Sequence, residues 1–348
     1  MATVLTPPVE PITSVDPTDP LEHPTTDVDS LSGGDAARAE QQAEKRAERA
    51  QRRRRGLGLS AAERKQRGKV AYASLVWLGV IHVVALAAPF YFSWTGLAIA
   101  LVLHWFTGSL GICLGYHRML THTGMKTYRW VRYTFATIGC LAGEGTPLDW
   151  IADHRKHHAH SDQDHDPHSP HHGAWWSHMS WLRYNTHGGD RDAYLQHWTP
   201  DLYKDGGIRF MDRLFIPLHF VCGLVLYGIG YAIAGNDFGL SLLIWGLFVR
   251  LVGVLHATWM VNSASHMWGY RNYETTDDSR NNWLVAIVAY GEGWHNNHHA
   301  YPRMAKHGHR WYEFDITWQA IRLLRAVGLV WDVVDYRNVA EKKAALSG

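Results

Sequence analysis

The sequence predicts an all-α membrane protein: four transmembrane helices in two hairpins, with a cytoplasmic helical cap that gathers histidines. Uncharged or nearly uncharged stretches recur at about residues 70–94, 95–116, 214–235 and 238–261. Each suits the ~20-residue helix that a ~30 Å hydrocarbon core demands. The links within each pair, SWTG and GND, are short enough for tight hairpins. All 17 Trp and all but one of the 24 His lie beyond residue 69.

Residues 1–37 hold seven acidic residues and no Lys or Arg, among Pro, Thr and Ser. From Arg38 to Lys69 the sign flips, with Arg52, Arg53, Arg54 and Arg55 in a row, then Arg64, Lys65, Arg67 and Lys69. Residues 1–69 therefore read as a disordered cytoplasmic tail, acidic then basic, because they cannot bury enough apolar surface to fold alone. Their positive charge abuts a span and is expected to fix orientation against anionic lipid, not to bind nucleic acid. No basic stretch followed by an apolar run opens the chain, so no cleavable signal peptide is expected. The next region, 70–336, is one domain, and 337–348 a C-terminal tail.

Arg118, Lys126, Arg129, Lys204, Arg209, Arg213 and Arg271 lie in the long segments 117–213 and 262–336, and the short links carry no Lys or Arg. By the positive-inside rule those segments and both termini are cytoplasmic. Trp130 to Ala142 is too short to span and reads as an interfacial or re-entrant helix. Near the C-terminus, Ile316, Ala320, Leu323, Leu324 and Val327 fall at amphipathic helical spacing. Arg250 interrupts the last span. It either faces a polar interior or lies near water through displacement of the helix.

Three histidine boxes stand out: His117 and His122 in HRMLTH; His154, His157 and His158 in HRKHH; His295, His298 and His299 in HNNHH. His266 follows the last span, four residues after Asn262. Residues i, i+3 and i+4 share one helix face, so each HxxHH is expected to present its three imidazoles to one point. His117 and His122 stand roughly 140° apart on an α-helix and reach either one metal or two. Neutral imidazole ligates Zn, Cu, Fe and Ni. Nine ligands overfill one ion but suit two. His82, His104, His219 and His256 read as ordinary hydrogen-bonded residues, and His160, His165, His168, His171 and His172 as supporting groups or solvated loop.

Cys113, Cys140 and Cys222 are widely spaced and form no CxxC pair, which excludes a disulfide scaffold, a zinc finger and a cysteine-ligated iron–sulfur cluster. Zinc hydrolases keep three protein ligands and an open position. Iron in a nitrogen-rich site beside a membrane points instead to oxygen activation on a lipidic substrate, in a dry site that prevents side reactions.

The motifs GYHRMLTH, DWIADHRKHHAHSD, DPH, ATWMVNSASH and GEGWHNNHH stand in one order and spacing. Over about residues 70–335 the chain resembles the membrane-bound fatty acid desaturases, in particular the acyl-CoA Δ9 (stearoyl-CoA) branch in a bacterial form. The resemblance implies a di-iron site held by His117, His122, His154, His157, His158, His266, His295, His298 and His299, with Asn262 supporting one iron through water. It implies a cis double bond, at Δ9, in a saturated long-chain acyl-CoA such as stearoyl- or palmitoyl-CoA, with O2 as co-substrate. Electrons come ultimately from NAD(P)H through a separate ferredoxin or oxidoreductase, since no His-Pro-Gly-Gly haem signature is present. It places Trp150, Thr258 and Trp259 at the bend of an acyl tunnel and Asp153 near the acyl-CoA head. It implies a bacterial plasma membrane, with the active site cytoplasmic. Two departures bear on the carrier: Glu144 stands where animal relatives have glutamine, and Ala152 replaces an arginine that helps hold CoA. A di-iron alkane or fatty acid hydroxylase, a metal transporter or storage protein, and a haem electron carrier are the competing readings. Transporters place their ligands near the bilayer midplane, unlike these boxes at the span ends.

Overall fold

The computed structural model describes residues 56–335 and, nearer the N-terminus, Arg38, Gln41, Gln42, Glu44, Lys45 and Arg46. Contacts divide the chain into Met1–Ala50 and Gln51–Gly348. In the first unit the described positions are helical and exposed. Residues 1–37 and the expected tail 337–348 lie outside the described residues.

In the second unit the folded body begins earlier than the expected boundary at residue 70. Helix α1 (Ala61–Arg67) opens with a capping box. The Ser60 hydroxyl accepts from Glu63 N at 3.2 Å, and the Glu63 carboxylate accepts from Ser60 N at 2.9 Å. These reciprocal bonds satisfy two donors that a helix start leaves free.

Helix α2 (Tyr72–Ala85) has only 14 residues, about 21 Å at ~1.5 Å per residue. Pro89, in the 3₁₀ turn Ala88–Tyr91, cannot donate to a continuing helix. Ser93 then caps α3 (Trp94–Thr121), its hydroxyl accepting from Gly96 N at 2.9 Å. After α3 come α4 (Arg129–Cys140), α5 (Pro147–His160), α6 (Ala174–His178) and α7 (Arg191–Trp198). Two long helices follow, α8 (Gly206–Ala234) and α9 (Asn236–Met267). The chain closes through α10 (Trp283–Val288), α11 (His295–Ala300) and α12 (Ile316–Ala326). A two-residue ribbon pairs β1 (Lys126–Thr127) antiparallel with β2 (Val330–Trp331).

Among the described residues three helices, α3, α8 and α9, are long and apolar enough to cross a membrane. The expected third span starts early, at Gly206, because the Asp205 carboxylate accepts from Gly207 N and Ile208 N. The fourth runs on to Met267, so His266 is a helical residue. Val76, Val80, Leu101, Val102, Phe220 and Leu224 are exposed on the outer faces of α2, α3 and α8. Inside, Leu78, Ile81, Leu226, Leu251, Leu255 and Trp259 form the core between α2, α8 and α9.

A second core, with Ile112, Tyr116, Leu148, Ile151 and Val254, joins α3 and α9 to the shorter helices. There α4 crosses α3 so closely that a Cβ on Gly111 would lie 2.8 Å from the Ile138 and Gly139 backbone. The helix expected over Trp130–Ala142 is this α4. Arg250 is buried, as the polar-interior reading expects, and donates to the carbonyls of Gly246 and Leu141. On α12 the expected face is not the buried one: Ile316, Leu323 and Val327 are exposed, and the buried residues are Thr317 and Ile321.

Candidate metal centre

From Phe106 to Thr121, α3 is a π-helix. Its i→i+5 bonding, continued by His122 N to His117 O at 3.1 Å, brings residues five apart to the same side. His117 and His122 therefore face one point, although an α-helix would have set them apart. Helix α5, capped by Thr146 and started by Pro147, carries His154, His157 and His158. Helix α11 has six residues and is held from its far side. Asn297 bonds to Glu313, the His307 carbonyl, Asn272 and Asn281, while Asn296 bonds to the backbone of Asn272 and Tyr273. The asparagine pair in HNNHH thus anchors the helix whose opposite face bears His295, His298 and His299.

The nine histidines converge in two groups. His117, His122, His154, His158 and His298 form one, and His157, His266, His295 and His299 the other, with ligand atoms within 4.8 Å of one another in each. Neither HxxHH box aims all its rings at one point, contrary to expectation. Each i, i+4 pair stays together and the i+3 ring turns to the other group. Successive residues on an α-helix are about 100° apart, so i+3 and i+4 diverge to opposite sides of i. The boxes thereby tie the two groups to each other, with the His158 and His299 ring centroids 4.6 Å apart.

Within the groups, Nε2 atoms meet at 3.0 Å (His117–His298), 3.2 Å (His122–His154), 2.9 Å (His158–His298), 3.3 Å (His157–His299) and 3.0 Å (His266–His295). These are the edges expected of a ligand polygon with metal–nitrogen bonds of ~2.1 Å. Carboxylates on the outer nitrogens fix the tautomers. His117 Nδ1 lies 2.7 Å from Glu292, His157 Nδ1 3.0 Å from Asp166, His266 Nδ1 3.0 Å from Asp162, and His299 Nδ1 2.6 Å from Asp277. A carboxylate only accepts, so these Nδ1 atoms carry the hydrogen. In the neutral rings of His157 and His299 two bare Nε2 lone pairs then face each other at 3.3 Å. A proton or a metal ion has to lie between them, and with nine rings converging a metal fits.

Electrostatics favours the ligand form in most of these rings, while Asp166 and neighbouring carboxylates outweigh burial and raise His157. Burial, reinforced by neighbouring imidazoles, holds His154, His158, His295 and His298 well below the usual imidazole range, and His299 is lowered to about 4. Such rings are neutral at pH 7, with a lone pair to give. Burial alone would raise the supporting carboxyls. The histidines against Asp166, Asp162 and Asp277, and His117, His307 and Arg118 against Glu292, instead hold all four below the ordinary carboxylate range. Arg118 is itself stapled between Glu292 and Asp315.

The sequence reading missed these four carboxylates and the buried His307, which lies 3.1 Å from Glu292. A signal was present: Asp162 and Asp166 trail the second box, and Glu292 precedes the third by three residues. His168, read as a supporting group or solvated loop, is buried with its ring centroid 4.4 Å from His157. His171 instead meets Asp278 at the surface.

A cavity opens beside both groups. His117, His154, His295, Asn262 and Glu292 line one end. Along α3 the lining runs on through Ile112 and Gly108 to His104, Val254, Ala257 and Val261 add α9, and Ala289 and Tyr290 complete it. Of the residues expected at the substrate, Trp150 and Thr258 line it. Both bind one carboxylate: Trp150 Nε1 donates to Glu144 at 2.9 Å and Thr258 Oγ1 at 2.7 Å. Asp153 and Trp259 do not line it. Asp153 accepts from Thr186 and Tyr194 within the protein, and Trp259 sits in the core beside His82, His178 and His256.

A helical bundle with apolar outer faces, nine imidazoles gathered in two groups and a cavity beside them defines a membrane protein with a metal-binding centre. Residues 92–328 match the fatty acid desaturase family, and the chain belongs to it. It is similar to the sn-2 palmitoyl-lipid 9-desaturase of Nostoc sp. (strain 36), at 45% identity over 80% of this chain and 95% of that protein. It is similar too to the sn-1 stearoyl-lipid 9-desaturase of Anabaena variabilis, at 43% identity over 78% and 94%. The icosanoyl-CoA 5-desaturase of Limnanthes douglasii is 41% identical over 74% of this chain and 70% of its own length.

Proposed function

We propose that this chain is a di-iron Δ9 desaturase that places a cis double bond in a saturated long-chain acyl group. The observation that carries the reading is the pair of imidazole groups at the mouth of an apolar cavity. His117, His122, His154, His158 and His298 hold one iron and His157, His266, His295 and His299 the other, with Asn262 facing the cavity beside them. The irons, when bound, supply the O2 activation needed to take hydrogen from an unactivated methylene. The reaction consumes one O2, two electrons and two protons, and releases two waters. The chain's own part is to hold the substrate still and dry. The apolar wall from Ile112 to Val261 excludes water, and Trp150 and Thr258, tied together through Glu144, set the shape beside the reacting carbons.

A membrane glycerolipid is the first carrier to test, although the sequence reading favoured acyl-CoA. The 9-desaturases of Nostoc and Anabaena are named for lipid-linked acyl groups. Ala152 is buried and apolar, and Asp153 turns inward, so neither offers a hold on CoA. Acyl-CoA is the second reading, favoured by the similarity to the icosanoyl-CoA desaturase. Four membrane crossings complete the proposal, the first made by α2 with the turn Ala88–Tyr91. Both termini and the metal end face the cytoplasm of a bacterial plasma membrane, and a separate ferredoxin or NAD(P)H oxidoreductase delivers electrons there.

The test is expression with a reductase system in desaturase-deficient cells, followed by mass spectrometry that maps double bonds within each lipid class. Products two hydrogens lighter, first in intact glycerolipids, support the proposal. Gain of one oxygen would turn it toward hydroxylation, and first appearance in the acyl-CoA pool toward the second carrier.

A further inference from the structure

The described end of the basic stretch, from Gly56 to Lys69, is built into the protein. Leu59 N donates to the Thr186 carbonyl at 3.0 Å, and Lys156 Nζ to the Leu59 carbonyl at 3.0 Å. Ala61 N donates to the Asp164 carbonyl at 2.9 Å. Arg64 is fully buried, 0% exposed, which for an arginine requires partners on the donors it brings inside. Its guanidinium donates to the carbonyls of Pro167 and Trp181 and lies 5.0 Å from the Trp176 ring centroid.

Through Ala61 and Arg64 this stretch grips the loop 161–168, at Asp164 and Pro167. That loop supplies Asp162 to His266 and Asp166 to His157, at 3.0 Å each. Asp166 also accepts from Asp162 N at 2.8 Å and His168 N at 3.0 Å, so the two carboxylates move together. The rings they hold, His157 and His266, both belong to the four-histidine group. In the five-histidine group the carboxylate on His117 is Glu292, held by Arg118 from α3.

We propose that α1 is a clamp for one of the two metals: through Arg64 and Ala61 it fixes the loop that orients His157 and His266, so its loss releases the metal of the four-histidine group and spares the other. Arg64 is a positioning residue, acting through Pro167 and Asp166. The proposal rests on the two-iron reading of the site.

The test counts iron per chain in full-length protein purified from iron-fed cells. Arg64→Gln removes the buried guanidinium. Ala61→Pro is the milder companion: it deletes the N–H given to Asp164 at the first helical position, where proline suits the helix. Ser60 before it, at φ −68 and ψ 166, already has the conformation a following proline requires. Loss of such a support costs roughly 10–100-fold in metal affinity. Wild type is expected to hold two irons and each variant to fall toward one under a chelator, while the other iron stays at wild-type affinity. If Arg64→Gln fails to accumulate, Ala61→Pro decides by the same count. Retention of both irons, or their loss in parallel, overturns the clamp and leaves the site reading intact. Fewer than two irons in the wild type overturns the site reading itself.

Discussion

The Thr258 hydroxyl lies 2.7 Å from the Glu144 carboxylate, whose other oxygen accepts from Trp150 Nε1. One acid side chain from the loop between α4 and α5 thus ties α5 to α9 across the cavity. Burial, opposed by those two bonds, raises its pKa from 4.5 to about 7. An acid raised on folding stabilises the fold fully below its unfolded pKa, and the contribution is lost as pH rises through the folded value. The window here runs from about pH 4.5 to 7. Glu144→Gln keeps the shape and does not titrate. Its Tm relative to wild type is expected to rise between pH 5 and pH 8, by a stability difference of at most about 3 kcal/mol. A constant difference across that range would show that Glu144 does not change protonation there.

His157 and His298 belong to different groups, so His157→Ala and His298→Ala each leave one group whole. Both variants are expected to stay in the membrane fraction, to give product below detection, and to retain at most one tightly held iron. Desaturation by either would contradict the assignment of ligands.

Glu292 accepts from His117 and Arg118, and His307 Nδ1 lies 3.1 Å from it. Glu292→Gln puts an amide where these donors need acceptors and pushes His117 toward the wrong tautomer. Removing such a support costs roughly 10–100-fold in metal affinity. Chelator competition is expected to show that loss in the five-histidine group, with the other group unaffected, a pattern complementary to that of Arg64→Gln.

The histidine boxes were legible because ligand chemistry needs those side chains at those spacings, whatever the fold does. Their grouping was not, for two physical reasons. The π-helical register that aligns His117 with His122 leaves no trace in hydrophobic periodicity. The split of His154 and His158 from His157 depends on which helices stand on either side of α5. The clamp by Arg64 was hidden for a related reason: a basic run is locally indistinguishable from a solvated tail until its distant acceptors, the Pro167 and Trp181 carbonyls, are known. Long apolar runs predicted α3, α8 and α9 well, but Pro89 cut α2 short. Trp259, an aromatic on the expected span, faces the core and not the cavity because α9 presents Thr258 to that side.

On the proposed function, the end of the cavity at His104 and Tyr290 is expected to limit the length of the acyl chain. His104 and Tyr290 hydrogen-bond to each other there, joining α3 to the loop before α11. Gly108, one turn further along α3, has no side chain, and a Cβ added to it would come within 3.0 Å of the Tyr290 ring. Tyr290 has little freedom to yield: its backbone sits at φ 55, and its carbonyl accepts from Thr317 Oγ1 at 2.9 Å. Gly108→Ala therefore shortens the cavity from within. A methylene that no longer fits costs on the order of 1–3 kcal/mol in discrimination. The product ratio of 16-carbon to 18-carbon monoenes in cells is expected to rise by about tenfold or more, with total iron unchanged. Tyr290→Phe in the same background frees the ring from His104 and is expected to restore part of the longer product. An unchanged chain-length profile in Gly108→Ala would place the end of the acyl chain elsewhere.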